Sequence, residues 1–145
     1  MSVLFSKQCD YAIQAMLYLA LKPQGTVVSM KELTKKLTLP YHFVSKILQR
    51  LTHKGLVTSL KGPTGGFALS ASAEKISLYE IVEAVDSVKF LSTCVLGFPD
   101  CSGTHPCGMH HEWAKLRDAT RSLLMKQNIA SMVKNTRKPQ YKIAK

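Results

Sequence analysis

A mainly α-helical chain with one small β-hairpin is the fold class this sequence predicts, and three observations carry the prediction. Apolar residues recur at helical spacing in several stretches. Ser29 and Ser77 each stand three residues before a glutamate, the pattern of a helix start. Two short alternating runs, 56–60 and 67–70, flank the Gly-rich turn 61–66. At 145 residues the chain has room for one ordinary domain with a real core, or for a small domain plus an oligomerisation element.

The first helix is expected from Lys7 to about Leu21, where Tyr11, Ala12, Ala15, Met16, Leu19 and Ala20 give a broad apolar face that ends before Lys22-Pro23-Gln24-Gly25. The β-branched Thr26-Val27-Val28 reads as an edge strand or extended connector. In Ser29-Met30-Lys31-Glu32 the hydroxyl can accept from the Glu32 amide while the carboxylate reaches back, so a second helix is expected to about Leu37. Pro40 suits the first position of a third helix, because the N–H it lacks would have no partner there. That helix runs to Lys54. Phe43, Val44, Ile47, Leu48 and Leu51 form one face, His42, Ser45, Lys46, Gln49, Arg50 and His53 the other, and Gly55 supplies a left-handed cap.

After the hairpin, Ser77 opens a helix carrying Ile81, Val82 and Val85 that ends near Asp86-Ser87. A last, long helix runs from His110 to about Asn128 with Trp113, Leu116, Thr120, Leu123 and Leu124 on one stripe. A small domain cannot bury such a stripe alone, so it is expected to pair with a second copy, packing back on the first helix being the alternative. The order of elements is that of a winged helix-turn-helix followed by a long C-terminal dimerisation helix. The expected divisions are 1–87 for the winged domain, 88–110 for a loop, 111–133 for the dimerisation helix and the segment after it, and 134–145 for a basic tail that frays.

Twenty Lys and Arg against nine Asp and Glu leave a formal charge of +11, and 46% apolar content describes a folded, basic protein with a polyanion for a partner. No apolar run is long enough to span a bilayer and the first residues lack a signal-peptide pattern, so a cytoplasmic protein with no membrane partner is expected. From Met30 to Lys61 there are seven basic residues against the single Glu32. Alone this would be a solvated face. Placed on a helix-turn-helix with a Lys-bearing wing, it points to double-stranded operator DNA, one helix lying in the major groove. His42, Ser45 and Lys46, with Tyr41 beside them, stand where base edges are met. Arg50 and the wing residues Lys61, Gly62, Thr64 and Gly65 stand where phosphates or a narrow minor groove are reached.

Three of the four cysteines lie in one loop, as Cys94-x6-Cys101-x5-Cys107-x2-His110, among Gly97, Pro99, Gly103, Pro106 and Gly108. Thiolates are soft ligands that suit Fe-S clusters, zinc and Cu(I), and the lack of short Cys-x2-4-Cys knuckles favours a cluster over zinc. Three small buried hydrophobes, or a disulfide between two of them, is the plainer alternative, disfavoured by so much Gly and Pro and by a reducing compartment. No nucleophile–base pair or phosphate-cradling loop accompanies the cysteines, which excludes the common enzyme classes and an organic small-molecule substrate. Two classes of function remain: a DNA-binding regulator, and a redox or cluster-carrier protein, or structural zinc protein, with an incidental basic face.

With these motifs in view the chain resembles the Rrf-two family of bacterial transcription regulators. The resemblance rests on Asp10-Tyr11-Ala12, Gly55-Leu56-Val57, the wing Lys61 to Phe67, the run Glu80 to Asp86 and the three spaced cysteines, and it spans about Leu4 to Val133. It implies a homodimer on operator DNA, probing nitric oxide, redox state or iron and cluster supply through one iron-sulfur cluster per subunit on Cys94, Cys101 and Cys107, and acting as a repressor. The fourth ligand differs between branches of the family. His110 matches the histidine of the iron-sulfur-regulating branch, and Asp10, from the partner subunit, matches the carboxylate of the nitric-oxide-sensitive branch. Asp10 is preferred because it would link the subunits mechanically, and a [4Fe-4S] cluster is expected in preference to a [2Fe-2S] one. Six residues between the first two cysteines are more than either branch leads one to expect.

Overall fold

Ser6 sets where the chain turns helical: its hydroxyl accepts from the Cys9 amide at 3.1 Å, and α1 covers Lys7–Leu21. The coordinates are a computed structural model that describes residues 4–136. The buried face of α1 includes Cys9, Ala12, Ala15 and Met16, and its small side chains let four later helices settle against it.

The second helix, α2, is Met30–Leu37. The Ser29 hydroxyl takes the Glu32 amide at 3.1 Å, but the Glu32 carboxylate goes to Lys22 Nζ at 3.6 Å, so the expected box forms by half. α2 ends on Thr38 in the left-handed region, φ 55°, and α3 runs Tyr41–His53. Pro40 precedes α3 as its N-cap instead of opening it. With φ −60° and ψ 144° its ring is still extended backbone, and its carbonyl accepts from Phe43 and Val44 at 3.1 and 3.2 Å, which asks nothing of the missing N–H. Val44, Ile47, Leu48 and Leu51 are buried, as the periodicity predicts. Gly55, φ 77°, ends α3: its N–H reaches Thr52 O at 3.0 Å while that of Leu56 reaches Leu51 O at 2.9 Å.

The wing is β1, Val57–Leu60, paired antiparallel with β2, Gly66–Leu69, in the register Val57↔Leu69 to Leu60↔Gly66. Val28 joins as a one-residue third strand, exchanging two backbone bonds of 2.8 and 2.9 Å with Phe67. A Cβ at Gly66 would run into the Val28 carbonyl, and one at Gly65 into the Leu60 carbonyl. Gly65, expected at the DNA, thus has a reason of its own to lack a side chain.

The Ser77 box is complete, with Ser77 N–H on Glu80 Oε2 at 2.9 Å and Glu80 N–H on Ser77 Oγ at 3.2 Å, and α4 spans Leu78–Val85. α5 is His110–Lys126, two residues shorter than its stripe suggests, and a further helix, α6, covers Ile129–Asn135. Asn128 makes the break, its side chain accepting from Ser131 N–H at 2.8 Å. Around it the chain pairs back on the start of α4: Leu78 N–H donates to Gln127 O at 2.8 Å and Ile129 N–H to Ile76 O at 2.9 Å. Ile129 is buried and α6 rests on α1. Lys134 and Asn135, expected to fray, are the end of this helix, because α1 gives it a surface to bind; the rest of the tail, 137–145, lies outside the described residues. Met16, Leu33, Leu48, Leu51, Ile81 and Leu124 centre the core, and among the described residues none that is buried is polar or charged. The α5 stripe divides: Leu124 is buried, whereas Leu116 and Leu123 are 61% and 53% exposed.

Candidate nucleic-acid interface and metal centre

The outward face of α3 is open to a large ligand. Tyr41 is 64% exposed, and His42 and Lys46 are exposed beside it. Ser45 is half-buried, with Gln49 Nε2 at 3.4 Å from its hydroxyl. Gln49 shares this face one turn on, and its amide suits an adenine edge. It is a candidate base reader that the search for charge passes over, although its spacing of four from Ser45 marks it. Lys61, Gly62 and Thr64 are exposed at the tip of the wing, as expected, and Gly65 lies half-buried beneath them.

Arg50, exposed at the end of this face, also has a partner within the fold. Its NH1 donates to the Val85 carbonyl, the last residue of α4, at 3.0 Å. A cation at a helix C-terminus satisfies an orphan carbonyl and complements the helix dipole. Arg50 therefore ties the recognition helix to α4, a role no local pattern announces. The next residue, Asp86, uses its carboxylate on the backbone N–H of Ser6, at 2.7 Å, and on the Ser6 hydroxyl, fastening α4 to the start of α1.

The cysteine loop hangs from this junction. Beyond Ser87, φ 65°, a tight turn over Lys89–Leu91 leads in, and α5 clamps it: Arg121 NH2 donates to Leu91 O at 2.9 Å and Trp113 Nε1 to Thr93 O at 2.8 Å. Cys94 enters buried, its Sγ 3.6 Å from Cys107 Sγ. Cys101 Sγ lies 3.6 Å from His110 Nδ1 at the first turn of α5. The His110 N–H donates to the Cys107 carbonyl at 3.1 Å, so the N-terminus of α5 stands between the two pairs, where its dipole favours thiolates. Burial opposes ionisation of Cys94, but backbone groups of Phe98, Leu96 and Gly97 and the Cys107 thiol outweigh it and hold its thiol below the ordinary range. An open cleft of about 400 Å³, walled by Phe98, Pro99, His105 and Pro106, gives small molecules access to Cys107.

All four cysteines are free. Two sulfurs each about 2.3 Å from one tetrahedral metal stand about 3.8 Å apart, so the Cys94–Cys107 gap is one a shared soft metal fits. Among the described residues no three such donors converge on one point; they come as two pairs along one loop. Arg117 lies alongside, NH1 3.8 Å from Cys101 Sγ and Nε buried without an acceptor, which is the environment an anionic sulfur group would complete. Three thiols, an imidazole and a guanidinium with an unfilled donor together fit an iron-sulfur group in chemistry. Asp10 is on the first turn of α1, remote in sequence from the loop, and Cys9 is fully buried nearby. Burial first, then the charges of Asp86 and Asp10, push the Cys9 thiol up to about 12.

Comparison with known proteins bears on the family and the fold. Residues 5–135 match the model of a family described as Rrf2, iron-dependent transcriptional regulator. A chain described as a helix-turn-helix transcriptional regulator of Aquifex aeolicus is 31% identical over 90% of this chain and 92% of its own. The transcriptional regulator IscR of Xenorhabdus nematophila is 31% identical over 86% of this chain and 76% of its own. The structure of CymR, the global cysteine regulator of B. subtilis, covers 94% of this chain and 100% of its own with a TM-score of 0.79; at 20% identity it speaks for the winged-helix fold alone.

Proposed function

Because this chain belongs to the Rrf2 family of transcriptional regulators, we propose that it is a homodimeric repressor whose hold on double-stranded operator DNA is set by an iron-sulfur cluster. It is a regulator and not an enzyme. No helix among the described residues is long and apolar enough to cross a membrane.

The observation that carries the reading is that the thiol loop and the recognition helix meet on one short helix. α4 leads directly into the loop and is bonded at its last turn to Arg50 of α3 and through Asp86 to α1. Any reordering of residues 88–94 pulls on Val85 and Asp86, and through them on the placement of α3. A single chain carries one reading head, so a dimer joined along α5 presents two, and operator affinity then depends on how far apart they are held.

Cys94, Cys101 and Cys107 would hold the cluster. Bound there, it would supply one-electron redox chemistry and iron open to small ligands such as nitric oxide. His110 is a fourth donor within the same chain, and its Nδ1, 3.6 Å from Cys101 Sγ, supports that choice. Asp10 of the partner subunit is the alternative. The cleft at Cys107 supports access by a small signal, and Trp113 and Arg121, by holding Thr93 and Leu91, keep the loop against α5.

The test compares the anaerobically purified protein with the same protein stripped by a chelator, on DNA selected from a random pool by the loaded form. Loss of at least tenfold in affinity on stripping, and its return on reconstitution, is the expected result; equal affinity of the two forms would sink the reading. The DNA face is tested on the same probe. Lys61→Ala is expected to weaken binding to all sequences and to reduce the slope of log K against log salt by about 0.9 for the lost phosphate contact. Changing His42, Ser45, Lys46 or Gln49 to Ala should instead alter sequence preference, by about 1–3 kcal/mol for each good base contact. Anisotropy titrations over a range of salt separate the two effects, and unchanged binding in all five variants contradicts the assignment.

A further inference from the structure

On α5, His110, Trp113, Arg117 and Arg121 recur at the spacing of one helical face, and all four meet the loop. Arg117 differs in being left with an unfilled donor. Its side chain is only 18% exposed, its Nε is buried with no hydrogen-bond acceptor, and its NH1 lies 3.8 Å from the Cys101 sulfur. The Asp118 carboxylate stands 3.8 Å from Nε, close enough for an ion pair but too far for a hydrogen bond, and accepts its hydrogen bond from Arg121 at 3.2 Å. Arg121, one turn away, shows the contrast, since it is satisfied by that carboxylate and by the Leu91 carbonyl.

This guanidinium, brought largely out of water, has the Asp118 carboxylate at ion-pair distance, but its Nε lacks an acceptor and its NH1 meets only a sulfur, so an anionic acceptor on that side would complete it. A neutral thiol at Cys101 does not provide one. Thiolates bound to a cluster do, and they and the cluster's sulfides accept N–H bonds of this length, which the planar fork of arginine can deliver two at a time. We propose that Arg117 is the positioning residue of the cluster site, donating to sulfur on the Cys101 side and raising the reduction potential of the group held there. This rests on the reading that Cys94, Cys101 and Cys107 hold a cluster. The reason for the direction is electrostatic: a fixed positive charge and N–H bonds to sulfur favour the more negative, reduced state. The same charge sets how readily the regulator is reduced, apart from whether it is loaded.

The experiment measures iron and sulfide content and the midpoint potential of the loaded full-length protein for wild type, Arg117→Gln, Arg117→Lys and Arg121→Gln. Arg117→Gln is expected to load but to show at least a tenfold lower ratio of reduced to oxidised cluster at fixed potential, about 59 mV for a one-electron couple. Arg117→Lys should recover part of that shift, and Arg121→Gln, whose bonds go to backbone and Asp118, should show none. An unshifted potential in Arg117→Gln, or an equal shift in Arg121→Gln, overturns the proposal. If Arg117→Gln takes up no iron, Arg117→Lys decides: restored loading supports a charge partner, and failure of both variants with a lost circular-dichroism signal shows a purely structural arginine. A wild-type chain that binds zinc and no iron removes the cluster reading itself, a result distinct from any of these.

Discussion

Replacing any one of Cys94, Cys101 or Cys107 by serine is expected to abolish cluster assembly, taking iron and sulfide from full occupancy to near zero, while Cys9→Ala keeps both. A serine hydroxyl stays protonated at neutral pH and is a hard donor, so it offers iron neither the charge nor the softness of a thiolate. Folding should survive in the Cys101 and Cys107 variants, since both sulfurs are only half-buried and outside the core; changes within about 0.5 kcal/mol are the rule for such sites. Chemical analysis of anaerobic preparations, with visible absorption, checks this. His110→Ala and Asp10→Ala complete the series. Loss of the normal spectrum in the first alone identifies the donor within the loop, and loss in the second alone identifies a ligand crossing between subunits. Full loading after Cys101→Ser would remove the assignment of the site, and zinc in place of iron would make it structural.

The second large effect is expected from Leu116→Glu combined with Leu123→Glu. Trp113, Leu116, Thr120 and Leu123 have the three-four spacing of a helix–helix seam, and the two leucines are more than half exposed. Two carboxylates on that seam would meet their own copies across a two-fold axis, so the protein should elute as a monomer. Operator affinity should then fall by about 10²- to 10⁴-fold, the worth of a second linked half-site. The salt dependence should fall with it, because half the phosphate contacts are gone. Light scattering and titration on one sample check both at once. A dimer of unchanged affinity would assign the seam to something else.

Much of this architecture is legible in the sequence because it is local. The Ser77–Glu80 box, half of the Ser29–Glu32 one, a Gly55 cap, the periodicity of α1 and α3 and the Gly-rich wing each act within a few residues of the chain, and the structure has them where the pattern puts them. The departures are of two kinds. Pro40 and the divided α5–α6 are boundary matters, and in the second case Asn128 with Ser131 three residues later is a readable cap that the long apolar stripe overshadows. The others are long-range. Nothing near Arg50 in sequence foretells a bond to Val85, 35 residues on, and nothing near Asp86 foretells its hold on Ser6, 80 residues back. The cysteines are visible as a set, but the arginine beside them is one basic residue among 20 until the fold puts its Nε where no acceptor reaches.

The depth of Cys9 has a practical consequence for anyone tracking this protein in time. Its thiol is fully enclosed and, with its pKa pushed up to about 12, stays protonated in the folded state at neutral pH. A soluble alkylating reagent therefore finds two populations in each molecule. The loop thiols report, by whether they react at all, on what the loop is holding. Cys9 reacts only when α1 lifts from its neighbours, at a rate that measures global opening of the chain. Mass spectrometry of one labelling time course would thus read occupancy and unfolding from the same sample, each on its own clock.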